Sequence, residues 1–162
     1  MSQSYPSIEC HVSALSVAEE RLVSRAIKVL EKRLFERGPR MYTPTVTKRY
    51  LQLQLVTYKY EVFAVIFLDN RNRLLAFEIL CEGTINAATV PPRRVLQRCL
   101  EINCAAVILA HNHPSGDVLP SETDKSLTRT LKQLLGQVDV QVLDHVIVGS
   151  GEAYSFAESG EL

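Results

Sequence analysis

The chain has no charge of either sign to spare: 18 lysines and arginines face 18 aspartates and glutamates over 162 residues. Nucleic-acid binders usually draw affinity from a basic excess that releases phosphate counterions, so a nucleic-acid partner is not expected here. Cysteine is sparse and its spacing is unpatterned. Cys10, Cys81, Cys99 and Cys104 form no C-x-x-C pair, which argues against a disulfide scaffold or a thiolate zinc site and for reduced thiols in a cytoplasmic protein. No uninterrupted apolar run approaches the ~20 residues of a membrane span. The polar opening Met1-Ser2-Gln3-Ser4 lacks the apolar segment of a secretory signal. There is no G-x-G-x-x-G or Walker loop to cradle a nucleotide phosphate, and no internal repeat or low-complexity tract. What remains is ordinary globular material, 46% hydrophobic and 22% charged, of a length that suits one folded domain.

Residues 1–15 read as a lead-in without periodicity. Ser16-Val17-Ala18-Glu19 has the form of a capping box, and behind it Val23, Ala26, Ile27, Leu30 and Leu34 recur at helical spacing up to the Gly38-Pro39 exit. Thr43-Pro44 opens a second helix through about Leu55, although the alternation Leu51-Gln52-Leu53-Gln54-Leu55 also fits a strand. Val62–Leu68 is apolar on both strand faces and predicts a central strand. Residues 69–73 predict a turn and Leu74 to about Cys81 the returning strand. Pro92 precedes a helix through Val95, Leu96, Cys99 and Leu100, and Ala105–Ala110 is a short buried strand. A loop from His111 to Pro120 leads to a helix capped by Ser121 and ending at Leu135-Gly136. Val138–Val142, Val146–Val148 and Tyr154–Phe156 complete the chain as short strands.

The chemistry concentrates in the run from Leu109 to Asp124. His111 and His113 are two residues apart at a strand end, so an extended backbone turns both imidazoles to one side. Pro114 and Gly116 then turn the chain, which can bring Ser121 and Asp124, one helical turn apart, back to that side. Two imidazoles and a carboxylate suit Zn²⁺, and three protein ligands leave a fourth position open, the catalytic rather than the structural arrangement. Taken separately, the histidines could be ordinary polar residues and Ser121 with Asp124 a mere capping box. It is the joint pattern that points to a metal.

The string His111-Asn112-His113-Pro114-Ser115-Gly116, with Pro120-Ser121 and Asp124 behind it, resembles the JAMM motif of the JAB/MPN metalloprotease superfamily and is most similar to its RadC family. Flanking pieces agree in order: Glu61-Val62-Phe63, Phe67-Leu68-Asp69, Gly83-Thr84-Ile85-Asn86, Pro92-Arg93, Asp144-His145 and Ser155-Phe156-Ala157. The likeness is closest to short RadC-like proteins of the YkfG and YeeS type, because no helix-hairpin-helix module is read ahead of it. Pro91 and Arg94 depart from the family's pattern, away from the metal motif.

The resemblance implies an α/β fold, a JAB/MPN-like (cytidine-deaminase-like) mixed sheet flanked by helices, with residues 1–40 as lead-in and helix and 41–162 as the JAB domain. It implies Zn²⁺ held by His111, His113 and Asp124, with Glu61 as the general base and Ser121 stabilising an oxyanion. Glu78 and Glu82 stand in for Glu61 if the register differs, and His145 is assigned a hydrogen-bonding role rather than ligation. The implied activity is hydrolysis of an amide bond in a peptide or protein substrate. The alternative is a DNA-repair-associated protein that binds DNA or a protein partner without hydrolysis. No membrane association is expected, and a second copy of the chain is a candidate partner.

Overall fold

The computed structural model describes residues 16–19, 21, 22, 25, 40, 41, 43–55, 57–83 and 90–162. The chain divides into two compact units, Met1–Glu36 and Arg37–Leu162. In the first, Ser16 and Glu19 make the expected reciprocal cap: the Ser16 amide and hydroxyl donate to Glu19 Oε2 at 2.8 and 2.6 Å, and the Glu19 amide donates back to Ser16 Oγ at 3.4 Å. The expected lead-in 1–15, the apolar stripe from Val23 to Leu34 and the Gly38-Pro39 exit lie outside the described residues.

The second unit is a five-stranded mixed sheet with helices on both faces. Its strands are β1 (Val62–Leu68), β2 (Leu74–Glu82), β3 (Ala106–Asn112), β4 (Gln141–Val148) and β5 (Ala153–Ser155). They lie in the order β2-β1-β3-β4-β5, with β3 and β4 parallel and the other neighbours antiparallel. Among the described residues three helices complete the unit: α1 (Pro44–Leu55), α2 (Pro92–Ile102) and α3 (Glu122–Gly136). The two central strands β1 and β3 are buried at every residue, which is why their sequences are apolar runs rather than alternations.

Strand periodicity divides the core into two layers. Phe63, Val65, Phe67, Val107 and Leu109 pack with Val95 and Cys99 of α2 and with Leu131 and Leu135 of α3. Val62, Ala64, Ile66, Ala106, Ile108 and Ala110 face the other way, onto Leu51 and Leu55 of α1. The ambiguous segment at 51–55 is helical, for a simple reason. Leu51 and Leu55 are buried four residues apart while Leu53 is 70% exposed, the spacing of a helix face and not of a strand. In α2 the expected apolar stripe is narrower than its sequence, since Leu100 is exposed while Val95 and Cys99 are buried.

One expectation is corrected in the last third of the chain. The segments 138–142 and 146–148 are not two strands; Val138 lies in the exit of α3, and Gln141–Val148 is one strand. Asp144-His145 had the look of a break, but both residues are buried within the strand. Beside β3 this strand carries a bulge: Val107 pairs with Val142, yet Ile108 pairs with Asp144, so Leu143 is the extra residue. A bulge of one residue reverses which side chains face which way. Val142 packs in the α2–α3 layer, whereas Val146 and Val148 pack in the α1 layer. His145 is therefore turned to the α3 side, the side that His111 also faces.

Candidate metal centre

His111 is the penultimate residue of β3 and follows Leu109 on the α3 face; His113 is the first residue beyond the strand. The loop after it is held against β4. The His113 amide donates to the Val148 carbonyl at 2.9 Å, and the Gly116 amide donates to the His113 carbonyl at 2.9 Å. Gly116 takes a left-handed φ of 87°, a conformation in which glycine carries no Cβ penalty. Gly149 makes the close approach possible: a Cβ there would lie 2.4 Å from the Gly116 carbonyl oxygen and 2.6 Å from Val118 Cγ1.

The loop delivers the chain to Ser121, which caps α3. The Asp124 amide donates to Ser121 Oγ at 3.1 Å, while the Ser121 amide and hydroxyl donate to Asp124 Oδ2 at 2.8 and 2.6 Å. The capping box and the metal motif thus share Ser121 and Asp124, and one reading does not displace the other. Capping occupies Oδ2 of Asp124; Oδ1 faces His111 Nε2 at 3.4 Å. His111 Nε2 and His113 Nε2 are 3.0 Å apart. One donor atom from each of His111, His113 and Asp124 falls within a 4.8 Å cluster, a spacing that a single cation can span.

The donor chemistry fits a cation. His113 Nδ1 lies 2.7 Å from the Asp117 carbonyl oxygen; a carbonyl only accepts, so the ring hydrogen sits on Nδ1 and the Nε2 lone pair is presented to His111 and Asp124. His111 is 2% exposed. Burial draws its pKa down to about 4, with Asp124 opposing and His113 reinforcing the shift. It is thus a neutral donor rather than an imidazolium at neutral pH. Behind it His145, fully buried, is held well below its ordinary pKa by the same desolvation, with His111 and His113 adding to it. His145 Nε2 is 2.9 Å from His111 Nδ1 and its Nδ1 is 2.6 Å from Thr128 Oγ1. Phe156 stacks on its ring at a centroid distance of 4.8 Å. His145 meets the cluster through His111, as a hydrogen-bonding neighbour.

Glu61 immediately precedes β1 and lines a cleft of about 370 Å³ together with His113, Pro114, Ser115, Asp117 and Leu119. Burial raises its carboxyl above the ordinary value; His113 opposes this and Asp124 adds to it. The two substitutes lie elsewhere. Glu78 is paired with Arg98 of α2 at 2.5 Å, and Glu82 accepts from the Tyr60 hydroxyl at 3.3 Å. Asp144 has a structural position: it accepts from the His145 amide at 2.7 Å, the Ser155 hydroxyl at 2.6 Å and the Ala157 amide at 3.0 Å.

Two residues of this neighbourhood were not singled out from the sequence. Asn112 lies between the histidines and points to the opposite face. Its Oδ1 accepts from the Val62 amide at 2.8 Å, and its Nδ2 donates to the Tyr60 and Tyr58 carbonyls at 3.0 and 3.4 Å. It grips the backbone on both sides of Glu61. Thr128 follows Asp124 by one helical turn, and that spacing was the one available signal. Among the described residues, no helix is long and apolar enough to cross a membrane.

The family model described as RadC-like JAB domain matches residues 41–161. The chain is 49% identical over 156 residues to a UPF0758 protein of Nitrosococcus oceani, covering 94% of this chain and 70% of that one. It is 47% identical over 144 residues to UPF0758 protein YkfG of Escherichia coli K12, covering 89% and 91% of the two chains. With UPF0758 protein YeeS of the same organism it shares 45% identity over 148 residues, 91% of this chain and the whole of the relative.

Proposed function

The chain belongs to the RadC-like JAB domain family, and on that footing we propose that it is a zinc-dependent hydrolase that cleaves an amide bond, peptide or isopeptide, in a protein or peptide substrate. The observation that carries this reading is the convergence of His111 Nε2, His113 Nε2 and Asp124 Oδ1 beside a cleft that Glu61 lines. His111, His113 and Asp124 would hold Zn²⁺, which supplies Lewis acidity and eases ionisation of water when bound.

The chain's own residues divide the remaining work. Glu61, its pKa raised by burial, accepts a proton from the attacking water and delivers it to the leaving nitrogen as the C–N bond breaks. A carboxylate of ordinary acidity would accept that proton less readily. Ser121 is assigned the oxyanion of the tetrahedral intermediate. Its hydrogen goes to Asp124 Oδ2 in the structure, so this role requires the hydroxyl to exchange that partner for the substrate oxygen. A comparable donor is worth ~2.7–4 kcal/mol in other hydrolases. Pro114 and Leu119 give the cleft apolar surface beside its carboxylates, a mixture that suits a polypeptide.

The test is a paired measurement on one preparation of the chain loaded with Zn²⁺: bound zinc by elemental analysis, and cleavage of a peptide library by mass spectrometry. His111→Ala and Asp124→Ala should lose zinc and remain folded. Glu61→Gln should keep zinc and lose hydrolysis by roughly 10²–10⁴. Equal zinc in wild type and both ligand variants would sink the metal assignment, and full activity in Glu61→Gln would sink the base.

A further inference from the structure

A histidine that ligates through Nε2 must carry its hydrogen on Nδ1, and the group that receives this hydrogen decides whether the ring is ready for a cation. For His113 the receiver is a main-chain carbonyl, which settles the matter. For His111 the receiver is another imidazole, His145 Nε2 at 2.9 Å, and an imidazole nitrogen can be either donor or acceptor. The question is therefore passed one group further along.

There it ends at Thr128. Its hydroxyl lies 2.6 Å from His145 Nδ1 and 2.6 Å from the main-chain carbonyl oxygen of Asp124. A hydroxyl has one hydrogen and can also accept. If it donates to the carbonyl, His145 Nδ1 carries a hydrogen and donates to Oγ1. His145 Nε2 is then bare, His111 Nδ1 donates to it, and His111 Nε2 is bare and faces His113 Nε2 and Asp124 Oδ1. If the hydroxyl instead donates to His145 Nδ1, every hydrogen along the line reverses, and the last one stands on His111 Nε2, in the place where a cation would go. The two arrangements share one set of heavy-atom positions; in the second His111 Nε2–H donates to His113 Nε2 at 3.0 Å, and in the first a cation takes the place of that hydrogen.

We propose that Thr128 and His145 are positioning residues for the metal centre: the Thr128 hydroxyl, by donating to the Asp124 carbonyl, sets a hydrogen-bond line through His145 that bares His111 Nε2 for the cation. The inference rests on the metal reading of the site. The geometry supports it beyond the distances. Thr128 and His145 are both buried, so no water competes for the line. The line starts on the main chain of Asp124 and returns, through His111, to face the carboxylate of the same residue. The β4 bulge turns His145 onto this side. In a valine variant the position keeps its shape, but His145 Nδ1–H would have no acceptor; the line then settles in the reversed direction, with a hydrogen on His111 Nε2.

The experiment uses the full chain and Zn²⁺ alone, with affinity read by competition against a chromophoric chelator. Replacement of such outlying partners typically weakens metal binding by 10–100-fold. Thr128→Val should fall in that range, and Thr128→Ser, which restores the hydroxyl, should lie within a few-fold of wild type (~3) on the same scale. In parallel, long-range ¹H–¹⁵N correlation spectra of wild type report the ring tautomers directly: with zinc bound, His111, His113 and His145 should all carry hydrogen on Nδ1. Thr128→Val that binds zinc as tightly as wild type overturns the proposal while leaving the metal site standing. So does a zinc-loaded wild type with the His145 hydrogen on Nε2, a result that does not depend on any variant folding. Wild type that takes up no zinc overturns the site and this line together.

Discussion

Asn112→Ala offers a sharp test of how the site is held, because its cost can be worked from the two shorter of its hydrogen bonds. Backbone pairing between β1 and β3 starts at Phe63 with His111, and the Asn112 side chain supplies the next rung. Val62 is fully buried, so when Oδ1 is removed its amide finds neither water nor another acceptor. An unpaired buried group of this kind costs ~1–3 kcal/mol. The Tyr60 carbonyl loses its 3.0 Å donor as well, at a smaller cost because Tyr60 is exposed and its carbonyl can turn to solvent. The sum is about 2–4 kcal/mol, which for a chain of this size corresponds to a fall in melting temperature of roughly 6–12 °C. Function should suffer separately. Tyr60 and Val62 flank Glu61, so loosening both frees the carboxylate from its place on the cleft while His111, His113 and Asp124 keep their own supports. Thermal melting by circular dichroism, with zinc content measured on the same sample, should show a large stability loss and metal retained. A shift under about 2 °C would refute the assignment of Asn112 as the clamp, and zinc lost in proportion to stability would show that the clamp serves the ligands instead.

Acidification should weaken the metal-free protein. His111 titrates at about 4 when folded and His145 also lies below its ordinary value, so the unfolded chain binds more protons below about pH 6.5 and their stabilisation is lost as pH falls through that window. His111 alone accounts for roughly 2 kcal/mol by pH 5; a urea midpoint in chelator that stays flat from pH 7.5 to 5 would contradict it. Gly149→Ala should overpack the contact with Gly116 by about 1–3 kcal/mol and push away the loop that carries His113, so its zinc content should drop together with its melting temperature; a variant that melts and binds as wild type does would deny that contact. Duplex DNA should be retained weakly at physiological salt and released steeply as salt rises, since the chain has no net charge; nanomolar sequence-specific binding would favour the DNA-associated alternative.

What could be read from the sequence was what is local. The seven apolar residues of β1, the Ser121 cap and the His-x-His spacing each depend on neighbours a few positions away, and the structure shows the strand, the cap and the two rings where local rules put them. Even the competing accounts of Ser121 and Asp124 came from one four-residue geometry that satisfies both. The segment at 51–55 stays open between helix and strand because both periods fit five residues, and burial of Leu51 and Leu55 on the face of the sheet where the helix meets β3, β4 and β5 decides it. Local rules failed at Asp144-His145. Two polar residues between valines look like a gap between strands, but here each is paired: Asp144 with three donors, His145 with Thr128 and His111.

That failure has a physical cause. Whether a strand residue faces the site depends on parity, and parity is reset by the bulge at Leu143, which no run of residues announces. Counting from Val142 without the bulge, His145 would point toward α1, Asp144 toward α3, and His111 Nδ1 would meet a carboxylate or nothing. With it, a neutral imidazole stands behind His111 and a carboxylate is tied to β5 instead. The difference matters electrically. A buried carboxylate on Nδ1 would add a second negative charge beside Asp124, strengthening His111 as a base and favouring its protonated form. An imidazole backed by a threonine fixes the ring's direction without that charge. The proposed ligands are thus specified by the motif, but the side chain that stands behind His111 is specified by pairing across strands more than thirty residues apart.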